Sequence, residues 1–373
     1  MVQYKTLVKK VSISPEKKTK QKDYLPKGQL PIIDQGQQLI GGYSDNLDMQ
    51  LACNLPVIVF GDHTRAVKYV DFLFGAGADG IKVLEPTEGI HPKFLYYATQ
   101  YLVLRLEDRG YARHYQYIEK KELDIPSLPE QKRIVSRIEE LFSELDNGVE
   151  TLRKTKQQLA VYRQAVLTTA FENIENVVEM DTLAVMIDPQ PSHRTPPEVS
   201  GGIPYVGIGD INYKDKCICF ADARKVAKSV LIEHKDRYEI HAGDFVMGKI
   251  GTIGKPFRLP LPQDYTLSAN VILIQPNSDI IVPDFLFWQF ASPLITRQLT
   301  LGATATSQPA FGIKKARKLQ IRMCNIDDQK AVLRNISEKM SVCDSIEKTV
   351  DTALQQAEAM RQSILKQAFE GRI

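Results

Sequence analysis

The sequence predicts two α/β domains, mixed α+β in detail, separated by two long α-helices that pair as an antiparallel coiled coil, with a pseudo-two-fold internal repeat. Three observations predict it. The phrase "YRQAVLTTAFE" (162–172) returns as "MRQSILKQAFE" (360–370). Each copy closes a charged stretch that carries one apolar stripe at helical spacing. Ahead of each stretch lie short apolar runs broken by Gly and Pro, the pattern of strands and turns.

The repeat is gapless at its strongest. A shift of 198 residues pairs Gln131 and Lys132 with Gln329 and Lys330, Ile138 with Ile336, and Asp146 with Asp344. It continues through Gln157 and Gln355, Arg163 and Arg361, to Ala170, Phe171, Glu172 and Ala368, Phe369, Glu370. The first copy places Ile134, Ile138, Leu145, Leu152, Leu159, Tyr162 and Val166 on one stripe. The second places Val332, Ile336, Cys343, Val350, Met360 and Ile364 there. Arg, Glu, Lys and Gln fill the intervals, as on a coiled-coil face. A continuous helix of some forty residues reaches about 60 Å, and one stripe of that length needs a partner; the matching copy is the nearest. Gly148 is a candidate kink in the first helix, and Gly148 and Thr155 stand at the positions where the second has Ile346 and Ala353.

Upstream of the helices the halves correspond more loosely. "GQLPIIDQG" (28–36) resembles "GGIPYVGIGDI" (201–211), and "HPKFLYYATQYL" (91–102) resembles "VPDFLFWQFASPL" (282–294). "LPVIVF" and "GIKVLEP" read as strands in the first half, "GDFVMGKI" and "NVILIQP" in the second. "PKFLYYATQYLVLRL" and "PDFLFWQFASPLI" read as Pro-initiated helices. The expected order is a first domain at 1–128, a helix at 129–174, a second domain at 175–327 and a helix at 328–373.

Composition narrows the class. The chain has 373 residues, 43% hydrophobic and 25% charged, as expected of a folded protein with more than one domain. It has no apolar run long enough for a membrane span and no apolar signal core near the N-terminus, so a cytoplasmic protein is expected. The cysteines at 53, 217, 219, 324 and 343 are scattered, and the histidines at 63, 91, 114, 193, 234 and 241 show no ligand or nucleophile spacing. No metal site is expected. Net charge is only +3, yet lysines crowd residues 5–27, and Lys314, Lys315, Arg317, Lys318 and Arg322 precede the last helix.

Catalytic motifs are missing from the pattern. In "GKIGTIGKP" five residues, not four, separate Gly248 from the Gly254–Lys255 pair, and Pro256 stands where a phosphate loop needs Ser or Thr. "GAGADG" (75–80) lacks dinucleotide-fingerprint spacing. No "NPPY" or "DPPY" stretch follows a nucleotide-binding unit, and "NYKDK" (212–216) is an isolated surface-turn motif rather than a nuclease cluster.

"PVIVFGDHTRAVKYVDFLFGAGADGIKVLEP" (56–86), "GDFVMGKIGTIGKP" (243–256), the helix openings "LPEQKRIVSRIEELFSELD" and "DDQKAVLRNISEKM", and both "RQ…AFE" endings resemble the DNA-specificity subunit of type I restriction-modification systems. The resemblance covers essentially the whole chain. It implies two target recognition domains, each reading one half of a split, asymmetric double-stranded DNA sequence, and conserved spacer helices that pair antiparallel. It also implies that the helices hold methyltransferase (modification) subunits, two of them, and that endonuclease/translocase (restriction) subunits join. S-adenosylmethionine, ATP and Mg belong to those partners, and the chain itself needs no cofactor and is not an enzyme. An antiparallel pair of equal rods would relate the domains by an approximate two-fold axis, as duplex DNA relates its half-sites, with rod length setting the unread gap.

DNA contacts are expected from loops, with Lys and Arg on phosphates and Arg, Asn, Gln, His and Ser on base edges. In the first half the candidates are His63, Thr64, Arg65 and Lys68 on a turn between strands, and Arg109, Tyr111, Arg113, His114 and Gln116 after the helix. In the second half they are Lys249, Thr252 and Lys255, then Thr304, Thr306, Ser307 and Gln308, with Lys314 beyond. The two halves disagree there, "RGYARHYQY" against "LGATATSQP", so the half-sites should differ. The alternatives are a self-contained DNA methyltransferase or nuclease, and a coiled-coil scaffold without DNA, which would leave the two basic domains unexplained.

Overall fold

The structure is a computed structural model that describes residues 1–78, 80–107, 110, 112–250, 253–302 and 310–372. It divides into two compact units: residues 1–154 with 350–373, and residues 155–349.

The first unit begins with β1 (Val2–Gln3), β2 (Val8–Lys10), β3 (Lys18–Thr19), β4 (Leu30–Ile33) and β5 (Gly42–Ser44). It continues with β6 (Val57–Gly61), β7 (Val67–Val70), β8 (Gly75–Gly77) and β9 (Ile81–Pro86). Helices α1 (Pro92–Leu104) and α2 (Tyr115–Ile118), strand β10 (Glu122–Leu123) and the opening part of α3 (Leu128–Glu172) complete its run. One antiparallel sheet has the order β2-β9-β6-β7, a mixed sheet has the order β3-β8-β4-β5 with β8 parallel to β3 and β4, and β1 pairs with β10. The expected strands "LPVIVF" and "GIKVLEP" supply β6 and β9, whose side chains are almost all buried. "GAGADG" opens as strand β8 itself, and Gly77 is needed there because a Cβ would meet Asp34 Cβ and the Tyr24 hydroxyl at 2.6 Å.

Pro92 starts α1, where its fixed φ suits the first helical turn. The helix is apolar on two faces because it is covered on both. Leu95, Ala98, Tyr101 and Leu102 pack with Ile58, Phe60 and Leu84 of the sheet. Phe94 and Tyr97 pack with Ile134, Val135, Ile138 and Phe142 of α3 and with Ile364, Leu365 and Ala368 near the chain end.

The second unit adds β11 (Val177–Glu179), β12 (Ala184–Ile187), β13 (Ile203–Val206), β14 (Ile211–Asn212), β15 (Cys217–Ile218) and β16 (Arg224–Val226). After α4 (Lys228–Lys235) come β17 (Phe245–Gly248), β18 (Pro256–Arg258), β19 (Thr266–Leu267) and β20 (Val271–Pro276). Then follow α5 (Pro283–Phe290), α6 (Pro293–Gly302), α7 (Ile313–Ala316), β21 (Gln320–Arg322) and α8 (Ile326–Phe369). The sheet orders repeat those of the first unit: β12-β20-β17-β18 matches β2-β9-β6-β7, and β11 pairs with β21 as β1 does with β10. The segment "PDFLFWQFASPLI", expected as one helix, is two. Pro293 cannot donate a backbone hydrogen bond, so α5 ends before it, and the Ser292 hydroxyl closes the turn onto Gln289 O at 2.6 Å.

The gapless shift of 198 extends further back than the sequence alone suggests. Tyr4 N donates to Lys121 O as Met180 N does to Leu319 O, and Val2 opposes Leu123 as Val178 opposes Ile321. Thus α2 and α7 are repeat partners, with Gln116 and Lys314 both second in their helices.

Helices α3 and α8 run antiparallel within each unit. In the first, Arg361 pairs with Asp146 and lies over the Phe142 ring, 4.4 Å from its centroid. In the second, Arg163 pairs with Asp344 at 2.7 Å and Glu347 at 2.9 Å. The expected seam residues Ile134, Ile138, Leu159, Val166, Ile336, Cys343, Val350 and Ile364 are buried, and Leu145, Leu152 and Val332 half-buried. Tyr162 is a correction: it is exposed, and Arg163 takes the adjoining inward position; Met360 is also more than half exposed but lines the groove between α3 and α8 with Leu141, Leu145 and Gly148. Ile346 is exposed as well. Gly148 does not interrupt α3, which is helical from end to end.

Candidate nucleic-acid interface

In the first unit the turn from β6 to β7 is tight. Gly61 N donates to Ala66 O and Arg65 N to Gly61 O, each at 2.8 Å, and Arg65 has a left-handed φ of 62°. The Thr64 hydroxyl donates to Gln35 O, and Gln37 Nε2 reaches Thr64 O at 3.4 Å, which ties the turn to the loop after β4. Thr64 is exposed, and His63 and Arg65 are half-buried.

Two expected contacts are corrected by their burial. Lys68 is 5% exposed and points inward, its ammonium donating to Asp34 O at 2.7 Å and lying 3.4 Å from Asp34 Oδ1. Burial lowers its pKa, and the Asp34 carboxylate counters that, so the charge is held by the loop rather than offered to a phosphate. His114 is 1% exposed, with Nδ1 at 3.0 Å from Asp62 O. Arg113 and Gln116, on either side of it, are exposed.

Asp62, overlooked in the sequence, joins the two candidate segments. Its Oδ1 accepts Tyr115 N at 2.9 Å and its carbonyl accepts His114 N at 2.8 Å, so the 63–65 turn and the 113–116 segment spring from one anchor. Lys82 Nζ stands 3.7 Å from Asp62 Oδ2. Lys82, Lys10 and Lys18 line a cleft of about 340 Å³, and Lys10 sits 4.7 Å from the centroid of the Tyr115 ring. These lysines come from three strands, β9, β2 and β3, so no local spacing reveals the cluster.

In the second unit Lys249 is likewise corrected. It is mostly buried and pairs with Asp188 at 2.7 Å, while its carbonyl accepts Phe311 N at 2.9 Å at the entrance to α7. Lys255 is exposed above the Tyr213 ring, 4.1 Å from the centroid, and its carbonyl accepts the Tyr213 hydroxyl at 2.9 Å. Gly254, with φ of 78°, turns the β17–β18 hairpin, so "GKIGTIGK" is a strand connection and not a phosphate loop opening a helix. Lys314 is exposed on α7. The loop 188–194 went unnoticed in the sequence. It is held at Asp188 by Lys249 and at Gln190 by His234, whose Nε2 lies 2.7 Å from Gln190 Oε1, and it presents Ser192, His193 and Arg194.

Arg109, Tyr111, Thr252, Thr304, Thr306, Ser307 and Gln308 lie outside the described residues. Among the described residues no helix is long and apolar enough to cross a membrane.

Two mixed α/β domains built on one plan, each clasped to a repeated long helix and each carrying basic and polar side chains on its connections, define a doubled α/β protein with two long helices. The chain belongs to the family of the type I restriction modification DNA specificity domain, whose model matches residues 9–159 and again residues 191–356. It is similar to the type I restriction enzyme EcoBI specificity subunit of Escherichia coli, 25% identical over 278 residues. That match takes in 67% of this chain and 58% of the relative's length. Its fold is similar to a chain from a solved structure on complex assembly and conformational transition of the type I R-M system (TM-score 0.68, 14% identity, covering 100% of this chain and 97% of that one). It is also similar to the HsdS subunit from Thermoanaerobacter tengcongensis (TM-score 0.51, 13% identity, covering 100% and 96%).

Proposed function

We propose that the chain is the DNA-specificity subunit of a type I restriction-modification complex, cytoplasmic and without catalysis of its own. One observation carries this reading: the specificity-domain model matches twice, on two domains of the same topology whose exposed residues differ at equivalent places. Gln116 answers to Lys314, both exposed at the second position of α2 and α7. One scaffold presenting two different surfaces suits a bipartite, asymmetric duplex target.

In this reading residues 1–128 and 175–327 are the two target recognition domains. Helices 129–174 and 328–373 hold two methyltransferase subunits, and restriction subunits join the assembly. S-adenosylmethionine, ATP and Mg are bound by those partners. His63, Thr64, Arg65, Arg113 and Gln116 face one half-site, and Lys255 and Lys314 face the other.

The test is selection from a random duplex pool by the chain reconstituted with a methyltransferase subunit. Two unlike conserved blocks separated by an unread gap of fixed length are expected. A single continuous block, or methylation or cleavage by the purified chain alone, would overturn the proposal.

A further inference from the structure

The second unit contains two cavities, of about 780 and 620 Å³, that share Arg163, Lys216, Trp288 and Met340 as a common wall. The larger has an apolar floor of Leu167, Ile253, Phe257, Phe290 and Met340. The smaller is mixed in lining and carries charge on its rim, with Lys330, Arg334 and Ser337 along α8 beside Leu333.

The internal repeat supplies a comparison for this place. At the position of Met340 the first unit has Phe142, and at the position of Trp288 it has Tyr97; those two rings meet edge-on with centroids 5.7 Å apart. Where the second unit has Asp284 and Ser337, the first has Lys93 and Glu139, joined by an ion pair at 2.5 Å. The polar cavity remaining there is about 360 Å³. The same architecture is thus closed by packed rings and an ion pair in one half and open in the other.

We propose that the double cavity receives a short acidic peptide segment of a partner protein. One bulky apolar side chain of the segment fills the larger cavity and its carboxylates lie along the smaller. The floor is too apolar for a phosphate, and the larger cavity lies within the range of about 300–1,000 Å³ that buries a compact ligand group. The rim selects the charge. Lys216, Lys255, Arg258, Lys330 and Arg334 outnumber Asp284 and Asp344 around the two cavities. Asp284 is taken by Arg258, and Asp344 by Arg163 and Lys216, whereas Lys255, Lys330 and Arg334 are in no ion pair among the described residues. A half-buried Trp beside exposed cations is the composition of an anchoring hot spot. In the first unit the Tyr97 and Phe142 rings stand where Trp288 and Met340 wall the larger cavity, so one segment binds per chain.

The test uses the full chain and random 12-residue peptides displayed on phage. The selected sequences should place Asp or Glu around a Leu or Phe. Trp288 is the chain's single tryptophan, so its emission reports on the site directly. Synthetic copies of the selected peptides should shift that emission to the blue and saturate at one per chain. Met340→Phe, which installs the first unit's residue, should weaken binding at least tenfold. Lys330→Glu with Arg334→Glu, two exposed positions that leave the core intact, should do the same and should accept peptides whose acids are replaced by Lys. The absence of acidic enrichment, or wild-type affinity in either variant, overturns the proposal. So does an oligothymidylate that produces the same shift with the same dependence on the variants, since the occupant would then be nucleic acid. The DNA-specificity reading is scored separately, by the duplex selection, and neither outcome here alters it.

Discussion

Gln131 Oε1 accepts the backbone N–H of His91 at 2.8 Å, and its Nε2 donates to Gly89 O and Pro126 O, each at 3.0 Å. Gln329 repeats the arrangement, accepting Val282 N at 2.8 Å and donating to Cys324 O at 2.8 Å. His91 and Val282 cap α1 and α5, so one buried amide at the start of each long helix holds the entry of the neighbouring short helix. Gln131→Leu would strand the half-buried His91 N–H and Pro126 carbonyl, while the carbonyl of exposed Gly89 can turn to water, a loss of about 2–6 kcal/mol at about 1–3 kcal/mol for each stranded group. Hydrogen exchange should accelerate throughout α1 while α5 keeps its protection. Unchanged exchange in α1 would show that the amide is not the clamp.

The same contrast of buried and exposed contacts sets the energetics at the other helix ends. Phe171 packs edge-on against Phe285 with centroids 5.3 Å apart, and Phe369 lies 5.2 Å from Phe94 and stacks on Tyr101 at 5.3 Å. Phe171 is fully buried, so Phe171→Ala should cost about 3–5 kcal/mol. The Arg163–Asp344 pair is partly solvated, Asp344 being 52% exposed, and its coupling energy in a double-mutant cycle with Arg163→Met and Asp344→Asn should stay under about 1 kcal/mol. Chemical denaturation of the four variants distinguishes the two magnitudes; a larger coupling than the Phe171→Ala loss would reverse the ranking.

Legibility in the sequence followed how local each determinant is. Gln131, Gln329, Phe171 and Phe369 were visible because the two halves share them, and the apolar runs of β6, β9, β17 and β20 were visible because a buried strand needs no distant information. The helix break before Pro293 also carried its own signal, in the proline. Tyr162 was misplaced on the stripe because apolarity alone assigned it there, whereas the inward position beside it belongs to Arg163, which finds acids on the facing helix. Lys68 and His114 resemble surface groups until Asp34 and Asp62 are seen beside them, 34 and 52 residues away in the chain. The basic cleft of Lys10, Lys18 and Lys82 was illegible for the same reason: strand pairing assembles it.

The two kinds of lysine and arginine should separate in DNA binding. Arg113→Ala and Gln116→Ala remove exposed groups of the first unit and, in the reconstituted complex, should weaken binding by about 5–100-fold, with altered protection at one half-site only. Lys314→Ala should act at the other. Lys68→Met should loosen the loop at Asp34, visible as faster exchange around residues 34–37, and leave the salt dependence of DNA binding unchanged, because its charge is already internal. Footprinting at two salt concentrations is the measurement. Equal loss at both half-sites for Arg113→Ala would count against the division of labour.

His234 makes the second unit sensitive to acid. It is fully buried, its Nδ1 lies 3.2 Å from the Tyr238 hydroxyl and also meets the Thr266 hydroxyl, and its Nε2 meets Gln190 Oε1. Burial, aided by the Arg237 charge, holds its pKa down to about 4 from the ordinary 6.5. Between those two values the unfolded chain takes up a proton that the native imidazole refuses, so stability is fully present above pH 6.5 and declines as the pH falls toward 4. The shift corresponds to roughly 3 kcal/mol at about 1.4 kcal/mol per pH unit. His234→Gln should lower stability at pH 7 yet flatten this part of the pH profile. Proteolysis of the exposed 191–195 segment, which Gln190 anchors, offers a local readout: cleavage of the wild type should accelerate from pH 6.5 to 4.5 more than cleavage of the variant. Parallel profiles for the two would mean that another group carries the acid response.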